Sequence, residues 1–422
     1  MQLIGKVTQR VPRPMSSTIC AIIPTFNRRF MLCECIDSIL AQTHPVDEII
    51  VVNDGSTDDT IDVVQSYGDR LTLINKGNGG KSSALNLGLK HCKSDYIWIC
   101  DDDDLAAPDG VKHLADALDS NDDAGFAFGT YQVFRKDETG YSYSEIVNPG
   151  VELEPNICIR FLEGGAGITL QYAMLVRRSV YERVGPFREE LIRSQDFDMM
   201  IRLFRSFKAV YVPKSVFYQR QHDGPRGSSS EIIPPEERLK KQFFYNYKVL
   251  AWVRQEFQLC EFTPTFSLGW DQALAERTAF LERACVFAAY AKWDDAIDDF
   301  RQAGRLSAIP AKPQELRLAA RVITDMNAWK ALYDNSEWRL KFQNCYKSDM
   351  YCRRILIATC RPVGGKVRQM FLNGKFYEGL MTIKALCGIF GIRGAFSGTI
   401  GAKIRRLSRI RQTDTGFACG ED

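Results

Sequence analysis

Tyr96-Ile97-Trp98-Ile99-Cys100-Asp101-Asp102-Asp103-Asp104-Leu105 is a short apolar run, rich in β-branched and aromatic residues, that stops at four consecutive carboxylates. Such a run reads as a buried strand, so the acidic cluster stands at a strand end. In open α/β sheets ligands bind just beyond the carboxyl ends of the strands, and clustered Asp oxygens suit a hard divalent cation bound together with phosphates. An Asp run in isolation is more often a solvated acidic loop. The flanking sequence decides between the two.

Upstream, Thr18 to Pro24 reads as a strand that ends in the loop Thr25-Phe26-Asn27-Arg28, and a helix is expected from Met31 to Gln42 with Leu32, Ile36, Ile39 and Leu40 on one face. Glu48 to Asn53 is a second strand, and Asp54-Gly55-Ser56-Thr57-Asp58 is a turn that caps a helix from Asp59 to Tyr67. Leu71 to Asn75 is a third strand; Gly77 to Gly80 break the chain before a helix from Lys81 to His91. Strands alternating with helices predict an α/β fold with a mainly parallel sheet covered on both faces. Downstream, Gly125 to Phe134 and Leu170 to Val176 have strand character, and the cluster Gly164-Gly165-Ala166-Gly167 suits a loop beside a ligand. Gln195-Asp196-Phe197-Asp198 leads a helix from Met199 to Phe207.

The chain has 422 residues, enough for two or three domains. The boundaries expected are a loose tail over 1–17, the α/β domain over 18–230, a helical domain over 236–345 and a basic amphipathic segment over 351–412. Within the helical part, Phe280, Ala284, Phe287, Ala296, Phe300 and Ala303, with Trp293 at the bend, have the spacing of one tetratricopeptide-like hairpin. Thirteen cysteines lack the spacing of a disulfide framework, which points to reduced thiols and, with no secretory signal and no long apolar run, to a cytoplasmic protein. The net charge of +3 conceals a strong asymmetry: Tyr351 to Gln412 holds thirteen Lys and Arg against one acid, Glu378. Phe371, Phe376, Leu380, Ile383, Leu386, Ile389, Phe390 and Phe396 interleave with those cations. Either this segment lies on an anionic membrane, at about 1 kcal/mol per basic residue, on the inner face of the plasma membrane, or it is an ordinary packed helix with a solvated basic face. No nucleic-acid partner is expected.

Each of the first four strands is followed by a polar signature: Pro24-Thr25-Phe26-Asn27-Arg28, then Asn53 to Asp58, then Asn78-Gly79-Gly80-Lys81-Ser82, then Asp101 to Asp104. With Arg177-Arg178-Ser179-Val180 leading to Gly185-Pro186-Phe187, and Gln195-Asp196 with Arg202, this ordered set resembles the inverting family 2 glycosyltransferases over roughly residues 18 to 225. The resemblance implies a GT-A, Rossmann-like sheet flanked by helices and transfer of a sugar from a nucleotide-sugar donor, a UDP-sugar first, to a hydroxyl of a glycan or lipid-linked acceptor in surface polysaccharide or lipid-linked glycan synthesis. It implies that Thr25, Asn27, Arg28, Asp54, Lys81, Asp101 and Asp102 contact the donor. It implies that Mg2+ or Mn2+ is held by Asp101 and Asp103, with His222 completing the site. Asp196 matches the family's general base, although Gln195 stands where Glu is usual.

Two other functions use similar parts. Nucleotidyl transfer can run on such a sheet with a metal and would release pyrophosphate. A non-catalytic helical adaptor could carry a degenerate transferase domain. The Gly80-Lys81-Ser82 tripeptide is not a phosphate loop, because Asn75 occupies the position of its first required glycine.

Overall fold

The computed structural model describes residues 17–395 except 139, 148–155, 165–166, 222–225, 229–230, 234–236, 307–308 and 322–325. The chain opens with β1 (Ile19–Thr25), α1 (Arg29–Leu40), β2 (Glu48–Asn53), α2 (Thr60–Gln65), β3 (Thr72–Asn75), α3 (Lys81–His91) and β4 (Tyr96–Ile99). Strands and helices alternate here as the sequence pattern predicts. β1 is buried at all seven positions, as a strand sandwiched between helix layers must be.

Next come β5 (Leu105–Ala106), α4 (Gly110–Asp119), β6 (Ala124–Asp137), β7 (Gly140–Val147), α5 (Ile157–Gly164), β8 (Met174–Arg177), α6 (Arg178–Val184), α7 (Gln195–Ser206) and β9 (Lys208–Arg220). A small hairpin follows, β10 (Arg226–Ser228) with β11 (Glu231–Ile233). Among the described residues nine strands form one sheet in the order β3-β2-β1-β4-β8-β6-β9-β5, with β7 paired to β6. The order runs one way from β1 to β3 and then jumps to β4 on β1's other side. That reversal makes a switch point between β1 and β4, where the loops after the two strands part and leave a crevice.

The mainly parallel sheet expected from the sequence holds for β1 to β4 and needs correction beyond them. β4–β8, β6–β8, β5–β9 and β6–β7 are antiparallel, while β6–β9 is parallel, so the sheet is mixed. The strand expected to end at Phe134 continues as β6 to Asp137 and pairs antiparallel with β7, Asp137 opposite Gly140, as two strands joined by so short a connection must. Trp98, fully buried, locks the two halves together: its indole N–H donates to the Tyr172 carbonyl at 2.8 Å and its ring meets Phe217 edge-on.

The chain divides into two compact units, residues 1–153 with 164–245, and residues 154–163 with 246–422, so the division falls within α8 (Arg238–Glu256). The second unit is helical among its described residues: α9 (Gln272–Ala289), α10 (Trp293–Arg305), α11 (Pro313–Ala319), α12 (Met326–Asp334), α13 (Ser336–Ser348), α14 (Met350–Thr359), α15 (Arg361–Leu372) and α16 (Phe376–Ala395). α9 and α10 form a hairpin whose bend has Ala291 at φ 58°, with Ala284, Phe287, Trp293, Ala296, Phe300 and Ala303 buried. Arg277 is wholly buried there, bonded through two nitrogens to Glu315, which also accepts from the Tyr351 hydroxyl. None of the described cysteines forms a disulfide, and no described helix is long and apolar enough to cross a membrane.

Candidate active site

The parallel register places the ends of the first three strands side by side, Thr25 beside Asn53 and Asn53 beside Asn75. Their loops are then tied across. Asn27, at φ 52°, accepts from the Thr57 backbone N–H at 2.7 Å, and its own N–H donates to Ser56 at 2.9 Å. Asp58 accepts from the Thr60 N–H at the start of α2. Asp54, nearly buried, receives the Gly79 and Gly80 N–H groups at 2.9 and 2.7 Å and the Lys76 ammonium at 2.5 Å. Gly55 has φ +79°, and a Cβ there would lie 2.8 Å from the Asn78 nitrogen, so only glycine lets these two loops meet.

The acidic turn faces them across the switch point. Arg28 from the first loop ion-pairs with Asp103 and lies 3.9 Å from Asp102; Lys81, at the start of α3, pairs with Asp101. Arg220, at the end of β9, donates its backbone N–H to Asp104 and its Nε to the Asp103 carbonyl, both at 2.6 Å, and also pairs with Glu34. Burial raises Asp101, and raises Asp102 to about 7 against the pull of Arg28. Asp104 is pushed well above the usual carboxylate range, by burial first and then by its acidic neighbours. Burial by itself would lower the Lys81 ammonium, yet Asp101, and then Asp196, hold it above its ordinary value. Repulsion stored among close carboxylates is what a bound cation would relieve.

The opposite wall is hung from α3. Asn86 accepts from the Phe187 N–H at 2.8 Å and donates to the Phe187 carbonyl and to Glu189, both at 3.0 Å, which fixes the approach to α7. Arg202 bonds Asp198 and the carbonyls of Val184 and Pro186, tying the Gly185-Pro186-Phe187 turn to the same helix. Ser194, in the left-handed region at φ 62°, holds the position before α7 without a side-chain capping bond, so Asp196 sits inside the first turn and is not the N-cap residue. Its carboxylate accepts only its neighbour's N–H among the bonds observed, from Phe197 at 2.8 Å.

These walls enclose a cavity of about 580 Å³ lined by Thr25, Arg28, Asp54, Lys81, Asp101 to Asp104 and Asp196. Of the residues singled out from sequence, Asn27 is not on its surface and acts as a staple between loops. His222 lies outside the described residues. The cavity also shows residues that no motif announced: Glu189, Arg193, Gln242 and Tyr172. The Tyr172 hydroxyl and the Gln195 amide oxygen are buried in its wall without a hydrogen-bond partner among the described residues.

For a metal, the donor set fits. Oxygens of Asp101, Asp103 and Asp104 all lie within 4.8 Å of one another, an all-oxygen group of the kind hard Mg2+ or Mn2+ prefers. Asp104 joins the two carboxylates expected from the sequence and Asp102 is not among the three, while His222, expected to complete the site, lies outside the described residues.

The sheet thus gathers a glycine loop, two cations and a carboxylate turn in a switch-point crevice, where open α/β sheets bind their ligands. The sequence profile of Glycosyl transferase family 2 matches residues 20–185. An uncharacterized glycosyltransferase of Rickettsia prowazekii is 31% identical over 223 residues, 53% of this chain and 69% of that protein. One from Rickettsia conorii is 32% identical over 228 residues, 53% of this chain and 37% of its own length. The chain belongs to glycosyltransferase family 2. It spans about a third of the length of the first three curated relatives it matches. Among solved structures, S. aureus TarS 1-349 in complex with UDP-GlcNAc is 16% identical with a TM-score of 0.47, covering 85% of this chain and 92% of that one in the ligand-bound form. The Pyrobaculum calidifontis mannosyltransferase PcManGT, in complex with GDP-Man and Mn2+, is 18% identical with a TM-score of 0.43, covering 82% and 87%.

Proposed function

We propose that this chain is an inverting glycosyltransferase that moves a sugar from a nucleotide-sugar donor, a UDP-sugar first, to a hydroxyl of a glycan or lipid-linked acceptor on the cytoplasmic side of surface polysaccharide or lipid-linked glycan assembly. The observation that carries this reading is a single cavity uniting Asp101 to Asp104 with Asp196, across which Lys81 responds to both Asp101 and Asp196.

In this reading Thr25 and Asp54 border the base, and Arg28 and Lys81 bring positive charge to the donor phosphates. Asp101 and Asp103, joined by Asp104, would hold Mg2+ or Mn2+, which as a Lewis acid neutralises charge on the departing nucleoside diphosphate. Asp196 takes the proton from the acceptor hydroxyl as its oxygen attacks the anomeric carbon. The nucleoside diphosphate leaves from the opposite face, and the configuration inverts.

Asp196→Asn keeps the shape of the first turn of α7 and removes the base. Nucleotide affinity by calorimetry should stay at the wild-type value while transfer falls by about 10²- to 10⁴-fold. Wild-type transfer by this variant would remove Asp196 from the mechanism. Release of pyrophosphate in place of nucleoside diphosphate would move the protein to nucleotidyl transfer.

A further inference from the structure

The basic C-terminal segment does two different things along its length. Between Ala385 and Phe390 the apolar side of α16 is core: Leu386, Ile389 and Phe390 are buried, and the Phe390 ring meets Tyr346 at 5.0 Å and Phe342 at 6.1 Å. The opposite end of the same helix is not covered. Around the α15–α16 turn, Leu372 is 68% exposed, Phe376 51%, Tyr377 76%, Leu380 59% and Met381 37%.

This tip has a defined shape. Gly374, at φ +73°, closes the turn, with the Lys375 N–H on the Met370 carbonyl at 2.8 Å and the Asn373 N–H on Gln369 at 2.9 Å. The aromatic side chains are therefore held outward by a formed hairpin. Exposed apolar residues scattered singly need no explanation, but five within ten positions of one hairpin do. Exposed Lys366, Arg368, Lys375 and Lys384 flank them, within a segment whose sole acid is Glu378.

We propose that the α15–α16 tip is a docking surface for an anionic lipid bilayer, with Leu372, Phe376, Tyr377 and Leu380 entering the headgroup boundary while the surrounding cations meet acidic headgroups. A bilayer interface offers apolar and anionic layers together, which is what this patch presents in complement. A second copy of the chain would set cations against cations. The contact proposed is that of the tip with the headgroup boundary; no described helix is long and apolar enough to cross a membrane. This inference does not rest on the glycosyl-transfer reading, since vesicle binding is measured without donor or acceptor.

The test is flotation of the full chain with vesicles of phosphatidylcholine alone and of equal parts phosphatidylcholine and phosphatidylglycerol. The protein should float with the anionic vesicles only, and binding should weaken as salt screens the cations. The paired substitution Phe376→Ser with Tyr377→Ser, at exposed positions, should keep the wild-type far-UV circular dichroism and reduce the partition coefficient roughly tenfold or more. Lys375→Glu should weaken binding to the anionic vesicles and flatten its dependence on salt, because less attraction remains to be screened. No flotation with either vesicle overturns the proposal, as does wild-type partitioning by the folded double variant. A dimer that the double variant dissolves, with no vesicle binding, would assign the tip to a second copy; capture by an acidic protein with no vesicle binding would assign it to a protein partner.

Discussion

Asn27 occupies the left-handed region, which costs a non-glycine residue about 1–3 kcal/mol unless its surroundings enforce it. Here three bonds between the first two loops do so. Asn27→Ala should therefore leave kcat close to wild type and weaken nucleotide binding about tenfold by calorimetry, because the loops lose their relative placement while the reacting groups stay. Asn27→Asp, which keeps the accepting oxygen and the tolerance for this backbone, should recover most of the affinity. Equal losses in kcat and affinity for Asn27→Ala would instead make it a direct contact. The residue type and its place after a strand were visible in the sequence, whereas the choice between touching the ligand and stapling two loops depends on the side chain's direction, which no spacing specifies. Asp54 shows the same limit: a carboxylate after a strand was expected to contact the donor, and in the structure it receives two glycine-loop N–H groups and Lys76.

At the scale of elements, α3 organises the crevice. Its first residue, Lys81, faces the acidic turn, its Asn86 suspends the approach to α7, and Gly88 lets it settle on β1, since a Cβ there would meet Ile22 at 2.5 Å. The strand–helix alternation and the glycine break before α3 were legible because a local pattern encodes them. Arg193, Tyr172 and Gln242 were not, since they reach the site through packing between distant segments. In the helical unit, α9 carries Glu282, buried against Glu163 and pushed well above the usual carboxylate range by that burial first and then by the neighbouring acid. The folded protein thus keeps a proton that the unfolded chain gives up near its ordinary value, so the sign is that stability declines as pH rises above about 4.5, by about 1.4 kcal/mol per pH unit until the folded group ionises. Glu282→Gln should flatten that decline and raise the melting temperature at about pH 8 relative to wild type, by far-UV circular dichroism. An unchanged pH profile would show that the pair is not the source.

Across the whole molecule the charge is divided: the crevice concentrates carboxylates, while the last segment concentrates cations. In the proposed reading the donor phosphates would meet the carboxylates of Asp101 to Asp104, and a divalent cation would relieve that repulsion. A ligand that binds only the folded state stabilises it by about 2.7 kcal/mol at 100 times its dissociation constant, which for a unit of this size is roughly 5–10 °C in melting temperature. UDP with Mn2+ should give a shift of that order, with UDP alone giving much less. Asp103→Asn should remove the increment that the metal adds, while Asp196→Asn should retain it, because the proposed reading gives the first carboxylate to the cation and the second to the acceptor. Equal shifts with and without Mn2+ in the wild type would take the metal out of donor binding. The absence of any shift across UDP-, GDP- and dTDP-sugars would favour a degenerate transferase domain serving as a scaffold.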